Sequence, residues 1–216
     1  MLPIGDDNSA RRIVPVVTYA LIAINVLFFL VELSAGEDFI RQWSVIPREL
    51  LANPLAEFIT IFTSMFMHGG WLHLLSNMLY LWIFGDNVED RMGHAKFLIF
   101  YLLCGIVATY AQVLVTPGSN IPNLGASGAI AGVLGAYLIM FPGGRVNVRM
   151  GRGIIPMPAL IVIGFWALLQ IFSSFGASSQ GDTGGVAYMA HVGGFVAGLV
   201  LAMLFGGARR PQLRSY

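Results

Sequence analysis

The chain has 216 residues, 56% of them hydrophobic and only 11% charged, with a mean hydropathy of +0.75; soluble domains carry about 25% charged residues. A net charge of +1 with no basic stripe gives no footprint for a nucleic-acid partner, and the single cysteine, Cys104, excludes an internal disulfide framework. This is the composition of a polytopic membrane protein, expected as an all-α bundle.

In chain order, residues 1–12 read as a polar tail ending in Arg11 and Arg12. Ile13 to about Leu33 is long and apolar enough to span, and no cleavage site follows it, so it reads as a retained anchor. Ser34 to Gly70 is mixed, with Glu37, Asp38, Arg41, Arg48, Glu49 and Glu57 between apolar clusters; it reads as a large loop with short interfacial helices. Further apolar runs cover Trp71 to Phe84 (continuing to Glu89), Gly93 to Val115, Ser127 to Phe141, Ala159 to Phe175 and Val186 to Phe205. The stretch from Pro142 to Met157 reads as a loop, as does the Ser/Gly-rich stretch from Gly176 to Gly185, which carries Asp182.

Six spans place both termini on one side. Arg11, Arg12, Arg91, Lys96, Arg145, Arg149, Arg152, Arg209, Arg210 and Arg214 fall on that side, leaving Arg41 and Arg48 opposite. The positive-inside rule makes the basic side cytosolic. The expected layout is a tail at 1–12, one six-span domain at 13–207 and a basic tail at 208–216, with the large first loop facing outward.

Orientation then gives depth. Ser127 lies near the outer end of the fourth span, where a helix start offers unpaired amides and a positive dipole. Taken alone, Gly125-Ala-Ser-Gly128 reads first as a serine N-cap with a small-residue packing face, and second as a nucleophile with its own amides. His191 lies roughly 8 Å into the sixth span, and His73 and Asn77 occupy the first two turns of the second. Four polar groups at one depth favour a shared site over separate packing roles. Gly128, Gly132 and Gly135 face the fourth span's neighbours, and His191 lies along the line of Gly194 and Gly198 on the sixth. Two such faces let backbones approach closely, which would bring Ser127 to His191. His73, Asn77 and the Ser127 amide could then donate to an oxyanion. His68 reads as structural, and His94 lies at the other side. A zinc site would want His-Glu-x-x-His, and none is present; no metal or cofactor is expected.

These residues resemble the rhomboid intramembrane serine proteases. Gly125-Ala-Ser-Gly128 matches the family's GxSG, Ala190-His191-Val-Gly-Gly194-Phe-Val-Ala-Gly198 its AHxxGxxxG, His73-Leu-Leu-Ser-Asn77 its HxxxN, and Glu89-Asp-Arg91-Met-Gly93 its ExRxG, across residues 13–207. The resemblance implies a serine endopeptidase of the six-span prokaryotic type that cuts transmembrane segments of other proteins in the bilayer. Ser127 would be the nucleophile, His191 the general base, and His73, Asn77 and the Ser127 amide the oxyanion hole. Glu89 and Arg91 would tie the inner end of span two to the following loop, and Asp182 would have no catalytic role. Two departures stand out. The position of a tyrosine that stacks on the catalytic histidine in some members is Ala131, and a Trp-Arg pair of the first loop is missing near Ile59-Thr60. The alternatives are a proteolytically inactive relative that binds membrane clients and a small transporter; no inverted repeat supports the latter.

Overall fold

A computed structural model describes residues 2–9, 11–178 and 186–205. Asp182, Arg209, Arg210, Arg214 and most of the Ser/Gly-rich loop lie outside the described residues. The fold is mostly helical, and among the described residues three helices are long and apolar enough to cross a membrane: α1 (Val16–Ala35), α7 (His94–Val115) and α10 (Tyr188–Phe205). Short helices α2 (Glu37–Trp43), α3 (Pro47–Ala52) and α4 (Thr60–Thr63) occupy the mixed segment after α1. The second apolar run is α5 (Trp71–Tyr80), a π-helical turn at Leu81–Gly85 and α6 (Asp86–Met92). It contains no proline, so the backbone stays helical through the irregular turn. α8 (Ser127–Met140) and α9 (Ala159–Ser178) complete the α-helices among the described residues.

α8 is the central element, with Gly128 to Tyr137 buried without interruption. A helix apolar on every side belongs inside a bundle. Its 14 residues rise about 21 Å, short of a bilayer core of about 30 Å. Other parts of the chain close both of its ends.

The all-α expectation needs one correction, at the Met140 end. A three-stranded antiparallel sheet forms there in the order β1 (Leu2–Asp6), β2 (Arg145–Met150), β3 (Gly153–Pro158). The tail and the loop after α8 are therefore structured. Leu2 pairs with Arg149, Asp6 with Val146 and Val148 with Ile155. The reason is local alternation: Val146 and Val148 point inward and are fully buried, while Arg145 and Arg149 are exposed.

The Ser127 end is closed by the segment after α1. Val45 and Asn123 exchange backbone bonds of 3.1 and 2.7 Å, and Arg48 N–H donates to the Ser119 carbonyl at 3.1 Å. Gly125 N–H donates to the Ser64 carbonyl at 2.8 Å. The loop leading into α8 is thus hydrogen-bonded to the first large loop before the serine is reached.

Candidate active site

Ser127 is the first residue of α8, and Ala126 holds the cap position without a side-chain cap bond. The serine N-cap reading is therefore corrected. The hydroxyl bonds across the bundle instead, with Oγ 2.8 Å from His191 Nε2. Gly125 explains how the chain turns into that position. Its φ of +133° is a conformation that favours glycine, and a Cβ there would lie 2.9 Å from His73 Cε1. Backbone, His73 ring and Ser127 hydroxyl are packed around one missing side chain.

The approach of α10 to α8 depends on its own glycines. A Cβ on Gly194 would overlap the Gly128 carbonyl oxygen, and one on Gly198 would overlap that of Gly132. On the other side of α8, a Cβ on Gly132 would press 2.5 Å from Cys104 of α7. The glycines of α8 thus serve two neighbours, α10 and α7. The start of α10 is held by Gln112 of α7, whose Oε1 accepts from Met189 N–H at 3.2 Å and Ala190 N–H at 3.3 Å. That places His191, one residue further, against the serine.

His73 faces Gly125 from α5. The Gly69 N–H donates to its Nδ1 at 3.3 Å. Nδ1 is thereby an acceptor, so the ring proton resides on Nε2, the edge that lies beside Gly125 and Ser127. Asn77, one turn on, is 7% exposed, and its Nδ2 has no hydrogen-bond partner among the described residues. A buried amide donor without an acceptor costs free energy unless something else supplies one. A small cleft beside Ser127 is lined by Ser64, Met65, Gly105, Ala108 and Gln112.

His191 has partners that sequence pattern did not single out. Its Nδ1 lies 2.7 Å from Gln170 Oε1 of α9. Trp166, one turn before Gln170, lies over the ring at 5.9 Å between centroids, and Tyr188 meets it edge-on at 6.5 Å. Ala131 is fully buried in α8. The available signal was one amide inside the apolar run Ala159 to Phe172, four residues after a tryptophan.

The remaining residues lie elsewhere. His68 is 1% exposed, its N–H donates to Glu32 Oε2 at 3.0 Å, and its ring sits 5.1 Å from that of His73. Glu89 is fully buried and accepts from Val17 N–H at 2.9 Å, Thr18 N–H at 2.7 Å and the Thr18 hydroxyl at 2.7 Å. It therefore caps the start of α1 in addition to tying α6 to the start of α7, where His94 Nδ1 lies 2.6 Å away. Arg91 donates to the Met140 carbonyl at 3.3 Å and lies 5.4 Å over the Phe141 ring, holding the far end of α8.

The sequence matches the Rhomboid domain family over residues 55–208. Among curated proteins it is similar to the rhomboid protease GluP of Bacillus subtilis, at 32% identity over 93% of this chain and 38% of that protein. It is also similar to rhomboid protein 1, mitochondrial, of Saccharomyces cerevisiae, at 28% over 90% of this chain and 54% of that protein. The putative rhomboid protease YdcA of Bacillus subtilis is 29% identical over 89% of each chain. This chain thus spans about half or less of the first two relatives.

Proposed function

The chain belongs to the rhomboid family, and on that basis we propose that it is an intramembrane serine endopeptidase working through a Ser127–His191 dyad. Its substrates are transmembrane segments of other proteins. The observation that carries the reading is the 2.8 Å contact between Ser127 Oγ and His191 Nε2. The helices α1, α5–α6, α7, α8, α9 and α10 are read as six spans, with the site toward the outer side. The excess of Lys and Arg on the opposite side supports cytosolic termini, and a prokaryotic cell membrane is the proposed location.

Neutral His191 takes the Oγ proton as Oγ bonds to the scissile carbonyl carbon. The charge that develops on the carbonyl oxygen is met by His73 Nε2–H, Asn77 Nδ2 and the Ser127 amide. The unspent donor on Asn77 is what such a pocket needs. The C–N bond then breaks, and His191 returns the proton to the leaving amine. Water attacks the resulting acyl ester, His191 takes its proton, and Ser127 leaves with it. A substrate helix hides its carbonyls in its own bonds, so small or helix-weakening residues near the cut favour cleavage.

A fluorophosphonate probe reports directly on the dyad. Wild-type protein is expected to be labelled at Ser127, and Ser127→Ala to lose both labelling and cleavage of a single-span substrate by at least about 10³-fold. A folded wild type that neither reacts nor cleaves would instead match an inactive client-binding relative.

A further inference from the structure

We propose that Gln170 is a positioning residue that fixes the tautomer and rotation of the His191 ring; this rests on the dyad reading above. A general base must present a lone pair to the proton it takes. Imidazole has two tautomers, and the choice is set by what the other nitrogen bonds to. Gln170 turns Oε1, which can only accept, toward His191 Nδ1 at 2.7 Å. The Nδ1 proton is spent there, and Nε2 is left with a lone pair aimed at Ser127 Oγ, 2.8 Å away. Serine, histidine and glutamine thus form one chain of hydrogen bonds across α8, α10 and α9.

Two further observations support this. Gln170 is the single amide in the run Ala159 to Phe172, otherwise apolar apart from the Trp166 indole N–H. The neighbours Leu168, Leu169, Ile171 and Phe172 are all exposed on the outside of the bundle. An amide in such a helix costs free energy unless bonded, so its partner matters. Trp166 shares the face of Gln170 at i and i−4, and its ring lies over His191 at 5.9 Å between centroids. One turn of α9 therefore supplies both an aromatic neighbour and an acceptor to the His191 ring. An amide cannot supply a negative charge, so Gln170 orients the imidazolium formed during reaction more than it stabilises it.

The test uses the full-length protein in detergent and a fluorophosphonate as probe. Gln170→Leu removes the acceptor and suits an apolar helix; Gln170→Glu keeps an acceptor at the same reach. Labelling of Ser127 in Gln170→Leu is expected to slow about tenfold or more, and Gln170→Glu to recover most of the rate. With ¹⁵N-labelled histidine, His191 should show a bare Nε2 in wild type and Gln170→Glu. Gln170→Leu should show a mixture of tautomers. Labelling of Gln170→Leu at the wild-type rate, or an unchanged tautomer in that variant, overturns the proposal and leaves the dyad standing. If folded wild type is not labelled, the dyad reading fails instead, and the histidine spectra alone decide what Gln170 does.

Discussion

The two ends of α8 are built on opposite terms. At the Met140 end, most polar groups are paired with one another, Asp6 Oδ1 being the exception among those named here. Glu89 accepts three bonds from the start of α1, Arg91 reaches the last carbonyl of α8, and Asp90 accepts from the Arg12 and Ile13 amides at 2.7 and 2.8 Å. Asp6 of β1 accepts from the Tyr137 hydroxyl at 2.8 Å and from Asn87 Nδ2 at 2.6 Å, and Arg11 pairs with Asp86 at 2.8 Å. At the Ser127 end several buried polar atoms have no partner among the described residues: Asn77 Nδ2, both ring nitrogens of His68, and Glu32 Oε1. A paired cluster rigidifies and specifies; an open donor waits for an acceptor. On the reading proposed above, one end of the helix anchors and the other is left available for chemistry.

This contrast is open to being broken. The largest effect should come at the Ser127 end. His73→Ala removes a donor from the pocket and is expected to slow cleavage of a single-span substrate by about 10²–10³-fold. Its thermal midpoint should move little. A large fall in Tm with an unchanged rate would make His73 an anchoring residue and erase the distinction.

At the other end the signs reverse. Glu89→Ala strands the Val17 and Thr18 donors in a buried site and should cost about 3 kcal/mol of stability. The fluorophosphonate rate per folded molecule should stay near wild type. Calorimetry beside labelling separates the two quantities, and a selective loss of labelling would show that the far end also tunes the dyad.

The smallest effect concerns Asp6. Burial pushes its carboxyl up to about 7 from an ordinary 3.8, against the opposing bond from Tyr137 and with Asp86 and Asp7 adding to the rise. The folded state then holds this proton more tightly than the unfolded one. Its contribution is fully present below the ordinary value and is lost as pH rises through about 7. The Tm of wild type relative to Asp6→Asn should therefore fall between about pH 4 and 7 and level off above, as checked by a pH series of melts. A relative Tm that rises over that range would mean the paired cluster favours the charged form.

Much of the molecule is legible from residue order. Spanning helices announce themselves because hydrocarbon must be met by apolar side chains over a fixed length, and α1, α7 and α10 start within about three residues of the expected positions. Ser127 and His191 could be proposed together because each sits at the start of a glycine-marked helix, a local pattern that survives without knowledge of packing. The sheet was harder. The alternation Val146-Asn147-Val148-Arg149 is short, and one of its two partner strands, β1, lies far away at the start of the chain.

Tertiary structure alone decided the partners that have no local sign. Tyr137 meets Asp6 across 131 positions, Glu89 meets Thr18 across 71, and Gln170 meets His191 across 21. An isolated polar residue in an apolar run states only that it needs a partner. Which group satisfies it depends on how helices lean and rotate against each other, and that is set by packing summed over the whole bundle. Hydropathy and spacing thus determine which segments enter the membrane and in what order, because those depend on each segment's own solvation. The hydrogen-bond chain from Ser127 through His191 to Gln170 exists only once α8, α9 and α10 have met.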